Sequence, residues 1–298
     1  MAENSSWHYK LEEYVRQAEP LKAERSKAWK TAIGLQDVDG LKTSEYLLDT
    51  AKEHIEGKID ISAAKKRIES YYKQSNNRKL AENRTQEADI VSSRIAELLG
   101  EKAFQFSPAE YKEIHRRLFT GVIENAGKNR TYNITKNEWV LGGDTVTYAS
   151  YESIDAALEY GFNKEKDFDY NKLSVEDSVR HIVSFTSDIW QIHPFSEGNT
   201  RTTAVFIIKY LKSFGFDISN DMFAKHSWYF RNALVRANYN NLKKEITSTT
   251  KYLEAFFENL LFGSNNILKN RFLHVDFDKS SLQSNSIFVD NCSEKSSK

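Results

Sequence analysis

The 298-residue chain has a single cysteine, Cys292, so no disulfide can form within it and a reducing compartment suits it. It has three prolines, at positions 20, 108 and 194, and so few breakers favour long helices. No stretch approaches the ~20 consecutive apolar residues of a membrane span. Met1 to Lys10 lack the apolar centre of a signal peptide. The expected location is cytoplasmic, with export by a dedicated machine left open. Lys plus Arg and Asp plus Glu both total 42, so net charge is zero. That argues against a DNA or RNA partner reached through bulk charge. What remains is 40% hydrophobic and 28% charged residues, enough to build a core and still dissolve.

Apolar residues recur at helical spacing almost throughout. A helix is expected from Leu11 to about Ala32, and Gly40 can end a helix or begin a turn. Thr43-Ser44 can cap a second helix through Tyr46, Leu47, Ala51 and Ile55, and a third runs from Ser62 to about Lys73. This divides the chain into a small N-terminal helical unit (1–78), a polar linker (79–86), a main helical body (87–275) and a polar tail (276–298), read as disordered. In the body, helices are expected over 87–99, after the Ser107-Pro108 start, over 178–190, from Asn199 to Gly215, and over 224–238 and 245–261. Residues 132–148 depart from this pattern. Ile134, Trp139 and Val140, then Gly142-Gly143, then Thr145 to Tyr148 read as a β-hairpin lying on the helices.

The chemistry is concentrated in His193-Pro194-Phe195-Ser196-Glu197-Gly198-Asn199-Thr200-Arg201, between two apolar helices. Glycine lets backbone approach an anion closely, and the following helix offers free N–H groups and partial positive charge. Arg201 adds a planar fork for phosphate oxygens. Glu197 beside an anion site is repulsive unless a cation such as Mg²⁺ bridges them. His193 can accept a proton near neutral pH. Singly, each residue has a plainer reading: a packed ring, an N-cap, a first-turn acid, a surface charge. Nine consecutive residues holding all four point instead to a polyphosphate site with a base beside it.

This run resembles the signature of the Fic family: His-Pro-Phe, any residue, Asp or Glu, Gly-Asn-Gly-Arg, two residues, Arg. The similarity extends over about 87–239 and includes Ala126-Gly127-Lys128-Asn129-Arg130. The resemblance implies an all-α fold, a Fic-type helical bundle with a β-hairpin flap, and AMP transfer from ATP to a Ser, Thr or Tyr hydroxyl of a target protein. It implies His193 as general base and Glu197 as the Mg²⁺ ligand. Gly198, Asn199, Thr200 and Arg201 would lie on the phosphates, and the flap over 133–148 would align the target chain by strand addition. Asn238 resembles an adenine-contacting position. The tyrosine usual seven residues earlier is Arg231 here, so Tyr229 or Phe230 is the expected stacking face.

Two positions depart from the signature: Thr200 stands where glycine is usual, and Ala204 replaces the second arginine. In the family that arginine grips the γ-phosphate and pairs with an inhibitory glutamate. Residues from about 31 to 72 resemble the small antitoxin unit that inhibits some Fic enzymes. Asp39-Gly40 would take the inhibitory position, with Glu56-Gly57 and Glu97 as rivals. Transfer of another nucleotide, phosphotransfer, and a non-catalytic nucleotide-binding adaptor stay open, as does a homo-oligomer.

Overall fold

Serine caps begin three of the helices in the computed structural model, which describes residues 20–74, 84–218 and 221–277. Residues 11–19 of the expected first helix, most of the linker and all but the first residues of the tail, Cys292 included, lie outside the described residues. The described helices are α1 (Pro20–Gly34), α2 (Glu45–Ile55), α3 (Ile61–Gln74), α4 (Thr85–Gly100), α5 (Pro108–Phe119), α6 (Ile154–Lys166), α7 (Val175–Ile192), α8 (Asn199–Ser213), α9 (Met222–Ala237) and α10 (Lys251–Phe262). Ser44 caps α2 by accepting from Leu47 N at 3.1 Å, and Ser107 caps α5 by accepting from Glu110 N at 3.1 Å.

The central element is α8. Every residue from Asn199 to Leu211 is buried, the pattern of a helix surrounded on all sides. Helices α4, α5 and α7 pack on it, α1 lies along α4, and α9 touches α1, α7, α10 and a 3₁₀ turn, Leu35–Asp39. One continuous apolar cluster runs from Trp29 to Leu273, so the N-terminal helices share the core of the body. Buried cations in this core are bonded where they stand: Lys30 pairs with Asp221 at 2.7 Å, and Lys209 donates to Leu98 O and Glu101 O at the carboxyl end of α4.

The structure corrects the sequence reading in three places. The β-hairpin over 132–148 does not form. Among the described residues the only strand-like pairing is an isolated bridge between Asn241 and Ile246. The tip of the segment is a 3₁₀ turn, Trp139–Leu141, closed by Gly142 in the left-handed region. Side chains occupy groups a strand ladder would use: Lys136 N donates to Thr145 Oγ1, and Arg130 donates to Tyr132 O and Ala149 O on both arms. Helix α6 was not anticipated, although Ile154, Leu158 and Phe162 bury one stripe of it. Finally, α10 begins at Lys251, because Leu242–Lys244 is a 3₁₀ turn that ends on left-handed Glu245 (φ 53°).

Gly34 is where α1 meets α9. A Cβ there would stand 2.3 Å from the Ala224 carbonyl oxygen, and Ser227 Oγ donates to Gly34 O at 2.6 Å. Gly34→Ala should therefore lower stability by about 1–3 kcal/mol, the usual cost of overpacking. Urea denaturation followed by helical circular dichroism measures this; an unchanged midpoint would contradict the close approach.

Candidate active site

The site begins where α7 stops. His193 takes a left-handed conformation (φ 51°, ψ 58°), which turns the chain from α7 into the motif loop. Its ring is buried between Trp190 and Tyr148, with ring centroids 5.1 Å and 4.2 Å away. Nδ1 lies 3.2 Å from Trp190 O. A carbonyl can only accept, so Nδ1 carries the proton and Nε2 carries the lone pair. That Nε2 is buried with no hydrogen-bond partner. Burial, then the positive charges of Lys136, Arg231 and Arg130, hold the imidazole well below its ordinary pKa of 6.5. The ring is thus neutral at neutral pH.

Two residues hold this loop in shape. Arg130 donates through Nε to His193 O at 2.8 Å, through Nη1 to Tyr132 O at 2.7 Å and through Nη2 to Ala149 O at 2.5 Å, while its backbone N–H donates to Pro194 O. One side chain therefore ties the histidine to both arms of the 132–148 segment. His115 stacks on buried Phe195 at 3.7 Å, accepts from Gly127 N at Nδ1 and donates from Nε2 to Glu197 O at 3.0 Å. Burial lowers its pKa to about 4, keeping that tautomer neutral.

Gly198 (φ 75°) opens α8, and no side chain caps it. A Cβ at that position would meet the Phe119 ring at 2.5 Å, so only glycine fits. The Asn199 amide is occupied within the loop: Oδ1 accepts from Phe195 N at 3.0 Å and Nδ2 donates to Phe195 O at 2.7 Å. Thr200 Oγ1 accepts from Trp190 Nε1 at 3.0 Å. Both side chains brace the loop in this structure rather than facing open space. The Glu197 side chain is half exposed, with Lys136 Nζ 3.8 Å away.

Arg201 is fully buried over the Phe119 ring. Its Nη1 donates to Gln36 Oε1 at 3.0 Å, and its Nη2 stands 2.7 Å from Glu87 Oε1 and 2.8 Å from Asp39 Oδ2, while Nε has no partner. Asp39 of the N-terminal unit therefore reaches the signature arginine itself. Its rivals engage elsewhere: Glu56 pairs with Lys58, and Glu97 with Lys65 and Arg117. Ala204 is wholly buried.

The expected base-binding residues are less open. Tyr229 is 2% exposed and Phe230 is fully buried, so both are core residues and neither offers a free ring face here. Asn238 donates to Ser187 Oγ at 2.8 Å and to Leu234 O at 2.9 Å. Arg231 lies 2.7 Å from Glu138 Oε2, whose side chain is fully buried, and Tyr148 donates to the other Glu138 oxygen. The roles of Gln36, Glu87, Arg130, His115 and Glu138 were not read from the sequence, where each is a single polar residue in a helix or loop.

The body is helical, with the His193 loop at the amino end of its central helix, and comparison with known proteins assigns a family to part of it. Residues 105–211 match the Fic/DOC family model, and the chain carries a Fic/DOC family domain there. It is 25% identical over 177 residues to the protein adenylyltransferase VbhT of Bartonella schoenbuchensis, covering 59% of this chain and 35% of that protein. It is 29% identical over 130 residues to the probable protein adenylyltransferase y4lH of Sinorhizobium fredii, covering 43% of this chain and 64% of that one. A 129-residue match at 26% identity, to the ribonucleoside-diphosphate reductase small chain of Ostreid herpesvirus 1, covers 40% of this chain and 22% of that protein. The chain thus spans less than two thirds of each of these relatives. No solved structure matches it. Among the described residues no helix is long and apolar enough to cross a membrane.

Lys136 is a replaceable part of the charge acting on His193. Lys136→Met should move the His193 titration upward, toward 6.5. Imidazole proton NMR across pH 3–8 measures it; an unmoved or lowered titration would contradict the electrostatic account.

Proposed function

We propose that this chain is a protein adenylyltransferase, moving AMP from ATP to a Ser, Thr or Tyr hydroxyl of a target protein and releasing pyrophosphate. The observation that carries this reading is the lone pair on buried His193 Nε2, unpartnered and beside an uncapped helix amino end. A hydroxyl placed there gives its proton to Nε2 while its oxygen attacks the α-phosphorus. The new O–P bond forms as the bond from the α-phosphorus to pyrophosphate breaks. Backbone N–H groups of α8 and the Arg201 fork, whose Nε also lacks a partner, suit the phosphate charge. The names of the two adenylyltransferase relatives support the same chemistry.

Mg²⁺ fits this donor set. The described residues hold no cluster of three or more His, Cys, Asp or Glu that could bind a metal, and Mg²⁺ in nucleotide sites is commonly held by one or two carboxylates, phosphates and water. Glu197, half exposed beside the helix end, is the carboxylate that would hold it. The ion would supply positive charge against the phosphates. The target would approach along 133–148, whose arms Arg130 holds beside His193.

The N-terminal unit is proposed to act as an antitoxin-like inhibitor. Asp39 and Gln36, with Glu87 of α4, occupy the Arg201 Nη groups, so phosphate would have to displace carboxylate to gain them. Ala204 favours a second reading, in which a differently seated nucleotide passes its γ-phosphate instead, because the usual γ-phosphate arginine is missing.

Incubation with α-labelled ATP, Mg²⁺ and lysate is expected to label protein, and His193→Ala is expected to abolish it. Label arriving only from γ-labelled ATP would select phosphotransfer, and no label from a folded chain would overturn both readings. Asp39→Ala is expected to raise α-label transfer about tenfold, the scale of one charge-assisted hydrogen bond removed from Arg201. Unchanged or lower transfer would contradict inhibition by Asp39.

A further inference from the structure

Arg84 sits in a place that helix stability does not explain. It is the residue before α4, it has left-handed backbone (φ 53°), and its side chain caps nothing. A cation opposes the dipole at a helix amino end, and a non-glycine residue in the left-handed region is strained. The guanidinium folds over the first turn onto Glu87, with Nε 2.8 Å from Oε2 and Nη2 2.9 Å from Oε1. That same Oε1 accepts from Arg201 Nη2 at 2.7 Å. Two arginines, one just before α4 and one in α8, thus converge on one carboxylate, as they would on a phosphate group. The amino ends of α4 and α8 both lack side-chain caps, and the Arg201–Glu87 pair joins them.

The two arginines differ in freedom. Arg201 is fully buried, whereas the Arg84 side chain is 47% exposed. Arg84 can leave Glu87 without stranding a buried cation; Arg201 cannot. We propose that Arg84 is the second arginine of a two-arginine polyphosphate clamp, reaching the terminal phosphates of a nucleoside triphosphate in place of the side chain lost at Ala204. Glu87, whose Oε1 both guanidinium groups share, holds the two arginines together. The proposal rests on the transferase reading only in placing a triphosphate at the amino end of α8.

Titration calorimetry on the full chain with Mg²⁺ tests it, using ATP and AMP as probes. Arg84→Ala should weaken ATP about tenfold, the scale of one charge-assisted contact, and leave AMP within about twofold, because AMP lacks the terminal phosphates. Arg84→Lys should fall between parent and Arg84→Ala for ATP. Arg84 is exposed, so the variant should fold, and an unchanged thermal midpoint confirms that. Equal ATP affinity in parent and Arg84→Ala, or AMP weakened as much as ATP, overturns the clamp. A parent that binds ATP but labels no protein refutes the transferase reading and leaves this contrast to decide Arg84. A parent that binds no ATP overturns both.

Discussion

The rest of the structure is arranged around one buried guanidinium. Arg201 has no exposed surface, and an unpaired cation in that position would be prohibitively costly. Its partners come from three parts of the chain: Gln36 and Asp39 from the turn after α1, Glu87 from the first turn of α4, and the Phe119 ring from the end of α5. Losing any one carboxylate leaves a charge less well satisfied, so the N-terminal helices and the signature helix are coupled through it. The arginine proposed to bind polyphosphate is thus also one of the ties, with the shared apolar core and the Lys30–Asp221 pair, between the N-terminal unit and the body. On the proposed reading, phosphate and the Asp39 and Glu87 carboxylates would compete for the same Arg201 donors, a coupling between two states that needs no long pathway.

The second constraint is the turn at His193. A left-handed histidine is uncommon, and it persists here because its surroundings over-determine it: Arg130 takes its carbonyl, Trp190 O takes Nδ1–H, and Tyr148 covers the ring. Those contacts fix which nitrogen holds the lone pair. They also run into the 132–148 segment, so the position of His193 and the placement of that segment are set by the same arginine. Glu138 adds a second tie, joining that segment to Arg231 on α9.

Features carried by local rules were legible in the sequence. Ser44 and Ser107-Pro108 start helices where capping chemistry says they should, and Gly198 opens α8 because a Cβ would strike Phe119. The signature run was legible because nine consecutive residues carry its chemistry. The hairpin reading failed because β propensity and a glycine pair describe a bend, whereas pairing depends on which groups remain free, and Arg130 and Thr145 occupy them. Gln36, Glu87 and Glu138 were illegible for a related reason. Each is one polar side chain whose meaning comes from a partner about 90 to 165 positions away. Asp39 was found only because a glycine follows it, and Ala204 only because a signature exists to be departed from.

A crystal structure of the full chain with ATP and Mg²⁺ tests the central claim, that phosphate and the Asp39 and Glu87 carboxylates compete for Arg201 next to a neutral His193. The account predicts Arg201 on phosphate oxygens, Asp39 withdrawn, and the α-phosphorus facing His193 Nε2 across a space that one hydroxyl oxygen can fill. Nucleotide bound elsewhere, or Arg201 still paired with Asp39 while the phosphates are in place, would contradict it.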